Sequence, residues 1–361
     1  MFDFSFYKGK KVLITGHTGF KGAWLSRLLL TAGAEVTGYA LEPPTAPALF
    51  EVCELPHEMR SVMGDIRNLD ILRRIFEESR PEIVIHMAAQ PIVRKSYQDP
   101  VYTYETNVMG TVNLLECVRH TDSVQSVVNV TTDKVYRNRE WDWPYRECDE
   151  LNGYEPYSNS KSCSELVTGC YINSFLRDKN VAVSTVRAGN VIGGGDFSAD
   201  RIIPDCVRAA KAGQEIIVRN PDSIRPYQHV LEALAVYLMI AQRQYEDGAY
   251  ADCYNVGPDE ADCVATGTLV SHFCEKWKQY AGESISWVER PDGGPHEAKL
   301  LKLDCARLKS VFGWRANWHF ETALEKTVEW YAGYVKSGGV KGCMERQILD
   351  FCQKVQSTDE G

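Results

Sequence analysis

Short apolar runs alternate with stretches of helical spacing over the first half of the chain. That alternation is the signature of a parallel sheet covered by helices on both faces. Residues 11–15, 34–40, 83–90, 127–131 and 181–187 read as buried strands, rich in Val, Ile and Thr. Residues 23–30, 106–116 and a segment from Tyr157 through Val167 carry apolar positions at helical spacing. Further on, residues 230–242 and 322–335 read as helices and 254–257 as a strand end.

Turn chemistry sharpens this picture. Gly16-His17-Thr18-Gly19-Phe20-Lys21-Gly22 joins the first strand to the first helix. Such a turn brings bare backbone N–H groups and a helix N-terminus against a pyrophosphate. The expected class is α/β, a Rossmann-type doubly wound parallel sheet with a smaller C-terminal α/β substrate-binding domain. Residues 1–188, with 230–255 returning to them, form the dinucleotide-binding domain; 189–229 and 256–361 form the other. The glycine-dense turn at 188–196 marks the boundary.

An acid at the end of the second strand would bind a ribose 2′-hydroxyl, and here only Glu42 stands near, slightly late; no Arg is present for a 2′-phosphate, so NAD is favoured over NADP. Asp65 could accept from an adenine amino group, and the small residues Ala88 and Ala89 would let a cofactor lie across the strand ends. Gln90 and Arg94 follow at the mouth, while His86, inside an apolar run, reads as a satisfied core histidine.

Composition removes other classes. The 361 residues are 44% hydrophobic and 25% charged, with a net charge of -9 and no basic tract, which argues against a nucleic-acid partner. The aromatic N-terminus lacks the order of a signal peptide and no apolar run is long enough for a membrane span, so the expectation is a cytoplasmic protein. Twelve Cys occur without Cys-x-x-Cys pairs, so no metal site is expected and the thiols read as small hydrophobes. The tail from 356 to 361 reads as disordered.

Candidate chemistry follows the strand at 127–131, where Thr132, Asp133 and Lys134 deliver a hydroxyl, an acid and an amine at a strand's C-terminal end. Tyr157 and Lys161 are one helical turn apart, so an ammonium can lie near a phenol and favour the phenolate. Arg201, Arg219 and Arg225 stand in polar surroundings and offer planar forks suited to diphosphate oxygens.

Together Gly16, Gly19, Gly22, Asp65-Ile66, Asn107, Thr132 and Tyr157-x-x-x-Lys161 resemble the extended short-chain dehydrogenase/reductase family. The segments at 187–196, 225–230 (Arg225-Pro226-x-Gln228-His229-Val230) and 295–298 (Pro295-His296-Glu297-Ala298) resemble the sugar-nucleotide 4,6-dehydratases within it. Val135 and Tyr227 depart from that pattern, which commonly has Cys and Trp there. The resemblance implies NAD as tightly bound cofactor, held by Gly16, His17, Thr18, Gly19, Phe20, Gly22, Asp65, Ile66, Ala88, Ala89, Gln90, Asn107, Tyr157 and Lys161. It implies a nucleotide-sugar substrate, CDP-glucose, contacted by Gln90, Arg94, Asn190, Arg201, Arg219, Arg225, Gln228 and Glu297, and a homodimer or homotetramer. It further implies Tyr157 as base at the sugar 4-hydroxyl beside Thr132, with Asp133 and Lys134 as the pair that eliminates water; how those two divide the work stays open. An epimerase of the same fold, a 4,6-dehydratase for another nucleotide sugar, and a non-catalytic NAD-binding protein are the alternatives.

Overall fold

The computed structural model describes residues 3–290 and 301–357. Seven parallel strands form its central sheet: β1 (Lys11–Thr15), β2 (Glu35–Ala40), β3 (Arg60–Met63), β4 (Ile83–His86), β5 (Ser126–Val130), β6 (Ala182–Ala188) and β7 (Cys253–Val256). Their order is β7-β6-β5-β4-β1-β2-β3. The sequence reverses direction across the sheet between β1 and β4, so the loops leaving those two strands diverge and open a crevice.

Period-two alternation explains why these strands read as continuously apolar. Leu13, Val84, Val127 and Val183 enter the core on one face. Val12, Ile14, Ile83, Ile85, Val128 and Val186 enter the core on the other. Helices cover both faces, principally α1 (Phe20–Thr31), α2 (Leu69–Ser79), α3 (Gly110–Arg119), α4 (Pro156–Tyr171) and α6 (Val230–Glu246).

Local chemistry sets the ends of these helices. Asn68 caps α2 by accepting from the Ile71 amide, and Arg80 closes it in the left-handed region. The Glu155 carboxylate caps α4, accepting from the Tyr157 and Ser158 amides, with Pro156 at the first helical position. Helix α1 has Gly19 at its cap and no side-chain acceptor there, which leaves its first N–H groups facing the crevice.

The expected strand at 83–90 stops at His86, because the Met87 and Ala88 amides turn to bond the Thr15 hydroxyl. Helix α5 (Ile202–Ala212) and three short two-stranded pairs had no distinct signal in the sequence. The C-terminal elements include α7 (Thr266–Ala281), α8 (Phe320–Ser337) and α9 (Lys341–Ser357). Among the described residues they share a core with the sheet: Phe273, Trp277 and Trp330 join Trp24, and Val207 of α5, in one cluster. Of the tail read as disordered, Gln356 and Ser357 end α9 and the rest lies outside the described residues. No helix among the described residues is long and apolar enough to cross a membrane.

Candidate active site

One cavity of about 1040 Å³ opens where the strands end, lined by the turn after β1, the loops after β2 to β6, one face of α4, and the Arg201, Arg219 and Arg225 segments. The crevice therefore lies where a doubly wound sheet puts its ligand.

Gly16, Thr18, Gly19, Phe20 and Gly22 all line it. Gly16 has φ of +81°, and a Cβ there would stand 2.8 Å from the Ala88 nitrogen; one at Gly22 would stand 2.2 Å from the Gly16 oxygen. A Cβ at Gly19 would meet nothing closer than 3.5 Å. The first two glycines thus permit a close crossing of backbone, and Gly19 leaves the helix N-terminus bare toward the cavity. Those free N–H groups fit a dinucleotide pyrophosphate. Asp65, Ile66, Ala88 and Ala89 also line the cavity. Arg67 grips the Asp65 carboxylate through Nε and Nη2.

Four expected contacts are corrected. His17 turns away from the cavity into the core, bonding Ser61 at 2.7 Å and packing edge-on to Phe50; burial pushes its pKa down to about 4. Gln90 and Asn107 bond each other through backbone and side chain, and Gln90 also holds Ile92 and Thr103. Asn107 spends its remaining donor capacity on Ser160. Both are buried and shape the loop beneath the cavity rather than its wall. Gln228 is buried too, donating to the Val256 carbonyl. Polar residues with specific partners inside a core look, in one dimension, the same as ligand-binding ones. Glu297 lies outside the described residues.

The chemical groups do converge. Thr132, Asp133, Lys134, Tyr157 and Lys161 share the cavity with Arg94, Asn190, Arg201, Arg219 and Arg225. Burial raises the Asp133 pKa, opposed by Lys134 and by the Thr132 hydroxyl, which donates to it at 3.0 Å. Burial also pushes the Tyr157 phenol up to about 12, with Thr132 pulling the other way. Lys161 donates to the Val130 carbonyl at 3.1 Å, and burial, then Lys21, lowers its pKa to about 8. Desolvation of the phenolate therefore outweighs the help expected from Lys161.

Lys134 lines the cavity but is exposed. A second enclosed amine beside Lys161 is Lys21, on the cavity wall with Asp133, Arg201 and Lys161 within electrostatic reach, its pKa lowered to about 8 chiefly by burial. In the sequence it stands inside the glycine turn with no role assigned to it. Its one signal was a cation in the first turn of a helix, where the dipole disfavours positive charge. The departures are absorbed by packing: Val135 fills a small cluster with Tyr136, Tyr145 and Leu301, and the Tyr227 hydroxyl meets Thr266 at 3.2 Å. His86 is the satisfied core histidine expected, bonded by Thr15 at 2.7 Å.

Such a sheet, glycine turn and Tyr-Lys helix face define a protein of the extended short-chain dehydrogenase/reductase class. The model of the GDP-mannose 4,6 dehydratase family matches residues 13–327, and the chain belongs to that family. It is 47% identical over 357 residues to the CDP-glucose 4,6-dehydratase of Salmonella typhimurium, covering 97% of this chain and 98% of that one. In fold it is similar to the UDP-glucose 4-epimerase of Thermotoga maritima, with a TM-score of 0.77 at 20% identity over 90% of this chain and 99% of the other. The dTDP-glucose 4,6-dehydratase of Bacillus anthracis, solved with NAD, gives 0.73 at 21% identity over 93% and 100%.

Proposed function

We propose that this protein is an NAD-dependent hydro-lyase converting CDP-glucose to CDP-4-dehydro-6-deoxyglucose. The observation that carries the reading is the meeting of Asp133 and Lys134 with Tyr157 and Lys161 in one cavity, since an epimerase needs only a hydroxyl base and its helper. The near full-length identity to a CDP-glucose 4,6-dehydratase supports the nucleotide. All twelve thiols are free, which supports a reducing, cytoplasmic setting.

Residues 1–188 with 230–255 hold NAD in this reading, and 189–229 with 256–361 hold the nucleotide sugar in a homodimer or homotetramer. Bound NAD supplies an acceptor for the C4 hydride and a donor that returns it to C6. Tyr157 takes the 4-hydroxyl proton, the positive nicotinamide of bound NAD being the charge that would offset the desolvation of its phenolate, with Thr132 bonding the same oxygen. The new 4-ketone acidifies the C5 proton. Asp133, its carboxyl pKa raised by burial, gives a proton to the 6-hydroxyl, which leaves as water, while Lys134 or Lys21 takes the C5 proton and returns a proton to C5 as the hydride reaches C6. Arg94, Arg201, Arg219 and Arg225 grip the diphosphate, and Asn190 approaches the sugar.

A panel of CDP-, GDP-, UDP- and dTDP-glucose tests this. Formation of a 4-keto-6-deoxy product fastest with the CDP sugar is the expected result. Inversion at C4 alone, or no turnover of any member, would remove the dehydratase reading.

A further inference from the structure

A buried pair sits directly below the reacting groups. Glu165 and Arg187 are 3% and 4% exposed at their side chains and meet through two parallel bonds, Nε to Oε1 and Nη2 to Oε2, each 3.0 Å. Glu165 lies on α4 two turns after Tyr157 and one after Lys161, on the same helix face. Its Oε1 accepts from the Thr131 hydroxyl at 2.5 Å and its Oε2 from Thr185 at 2.7 Å. Arg187, on β6, donates from Nη1 to the Tyr136 hydroxyl and to the Glu147 carbonyl, each at 2.9 Å.

Thr131 and Tyr136 are the residues just outside Thr132-Asp133-Lys134-Val135. One ion pair therefore ties both ends of that segment to the helix bearing Tyr157 and Lys161. A buried pair is weak support for stability, because its desolvation offsets its attraction. Holding two catalytic elements in fixed relation is a separate task, and it needs directional bonds that apolar packing does not provide.

We propose that Glu165 and Arg187 are positioning residues that set Thr132, Asp133 and Lys134 against Tyr157 and Lys161. This rests on the dehydratase reading for its substrate but not for its geometry.

The electrostatic consequence is separable. Lys161 faces Lys21 from α1, His86 from β4, and Tyr157 and Glu165 on its own helix; of these Glu165 raises its pKa and Lys21 lowers it. Glu165→Gln removes the raising charge and leaves Arg187 uncompensated, so the alkaline limb of kcat moves to lower pH.

The test uses full-length protein carrying Glu165→Gln, and Glu165→Leu with Arg187→Met, an apolar pair that keeps the core filled. In the double variant kcat for CDP-glucose is expected to fall by about 10²-fold while KM stays within about threefold, the cost of a small misplacement. Hydrogen exchange of the 131–136 amides is expected to quicken in both variants, a readout that needs no substrate. A double variant with wild-type kcat, or variants with unchanged exchange in that segment, would overturn the proposal. If wild-type protein fails to turn over CDP-glucose while exchange still quickens, the substrate assignment has failed and the tie stands.

Discussion

Lys161 donates to the Val130 carbonyl across 3.1 Å, so the ammonium is anchored to the end of β5 rather than to the phenol of Tyr157 four residues earlier. The bond joins the helix that carries the base to the strand that delivers Thr132 and Asp133. Its loss should be felt in chemistry more than in binding. Lys161→Met is expected to lower kcat by about 10²–10³-fold with little change in CDP-glucose affinity, measured by calorimetry.

Lysine titration gives the pH dependence. Lys161 has a pKa lowered to about 8 by burial and by Lys21, so it loses its charge as pH rises through that value. If the charged form is required, kcat falls above about pH 8. Lys21→Met removes the neighbouring positive charge and should move this limb to higher pH; a pH–rate profile of the variant reads the shift directly.

Gly16 bears on cofactor retention. A Cβ at this residue, with φ of +81°, would stand 2.8 Å from the Ala88 nitrogen. Gly16→Ala is expected to cost about 2 kcal/mol or more in stability, and to yield protein purified with less bound NAD, read as a lower melting temperature and a lower ratio of absorbance at about 260 to 280 nm.

Stability has its own titration. Glu232 is buried, and its carboxyl is pushed from 4.5 up to about 8, mainly by desolvation. Between those values the folded state holds a proton that the unfolded chain has released, so stability falls as pH rises from about 4.5 to 8. Its Oε1 accepts from the Asn317 and Trp318 amides, a role Gln can keep. Glu232→Gln should therefore raise the melting temperature at pH 8 and leave it nearly unchanged at pH 5.

The sheet was legible because alternation and turn chemistry are local: residues 11–22 alone define a strand, a glycine turn and the start of a helix. The same holds for Thr132 to Lys134, whose position after a strand fixes which end of the sheet they occupy, and for Tyr157 with Lys161, whose spacing fixes a shared face. What escaped depends on distant partners. Glu165 and Arg187 are 22 positions apart and meet only because α4 crosses over to β6. Gln90 and Asn107 carry ligand-like side chains but spend them on each other inside the core, and Gln228 is buried with its Nε2 donating to Val256 and its Oε1 without a partner among the described residues. The exposure of Lys134 and the enclosure of Lys21 escaped for the same reason: enclosure is a property of the assembled cavity.

The most direct test of the dehydratase account follows isotopes through one turnover. CDP-glucose deuterated at C4, incubated with the full-length protein in ordinary water, should give a 4-keto-6-deoxy product carrying that deuterium at C6, and unlabelled substrate in deuterated water should give product with deuterium at C5. Recovery of a C4 epimer with no label gained from solvent, or a product whose C6 lacks the transferred deuterium, would contradict it.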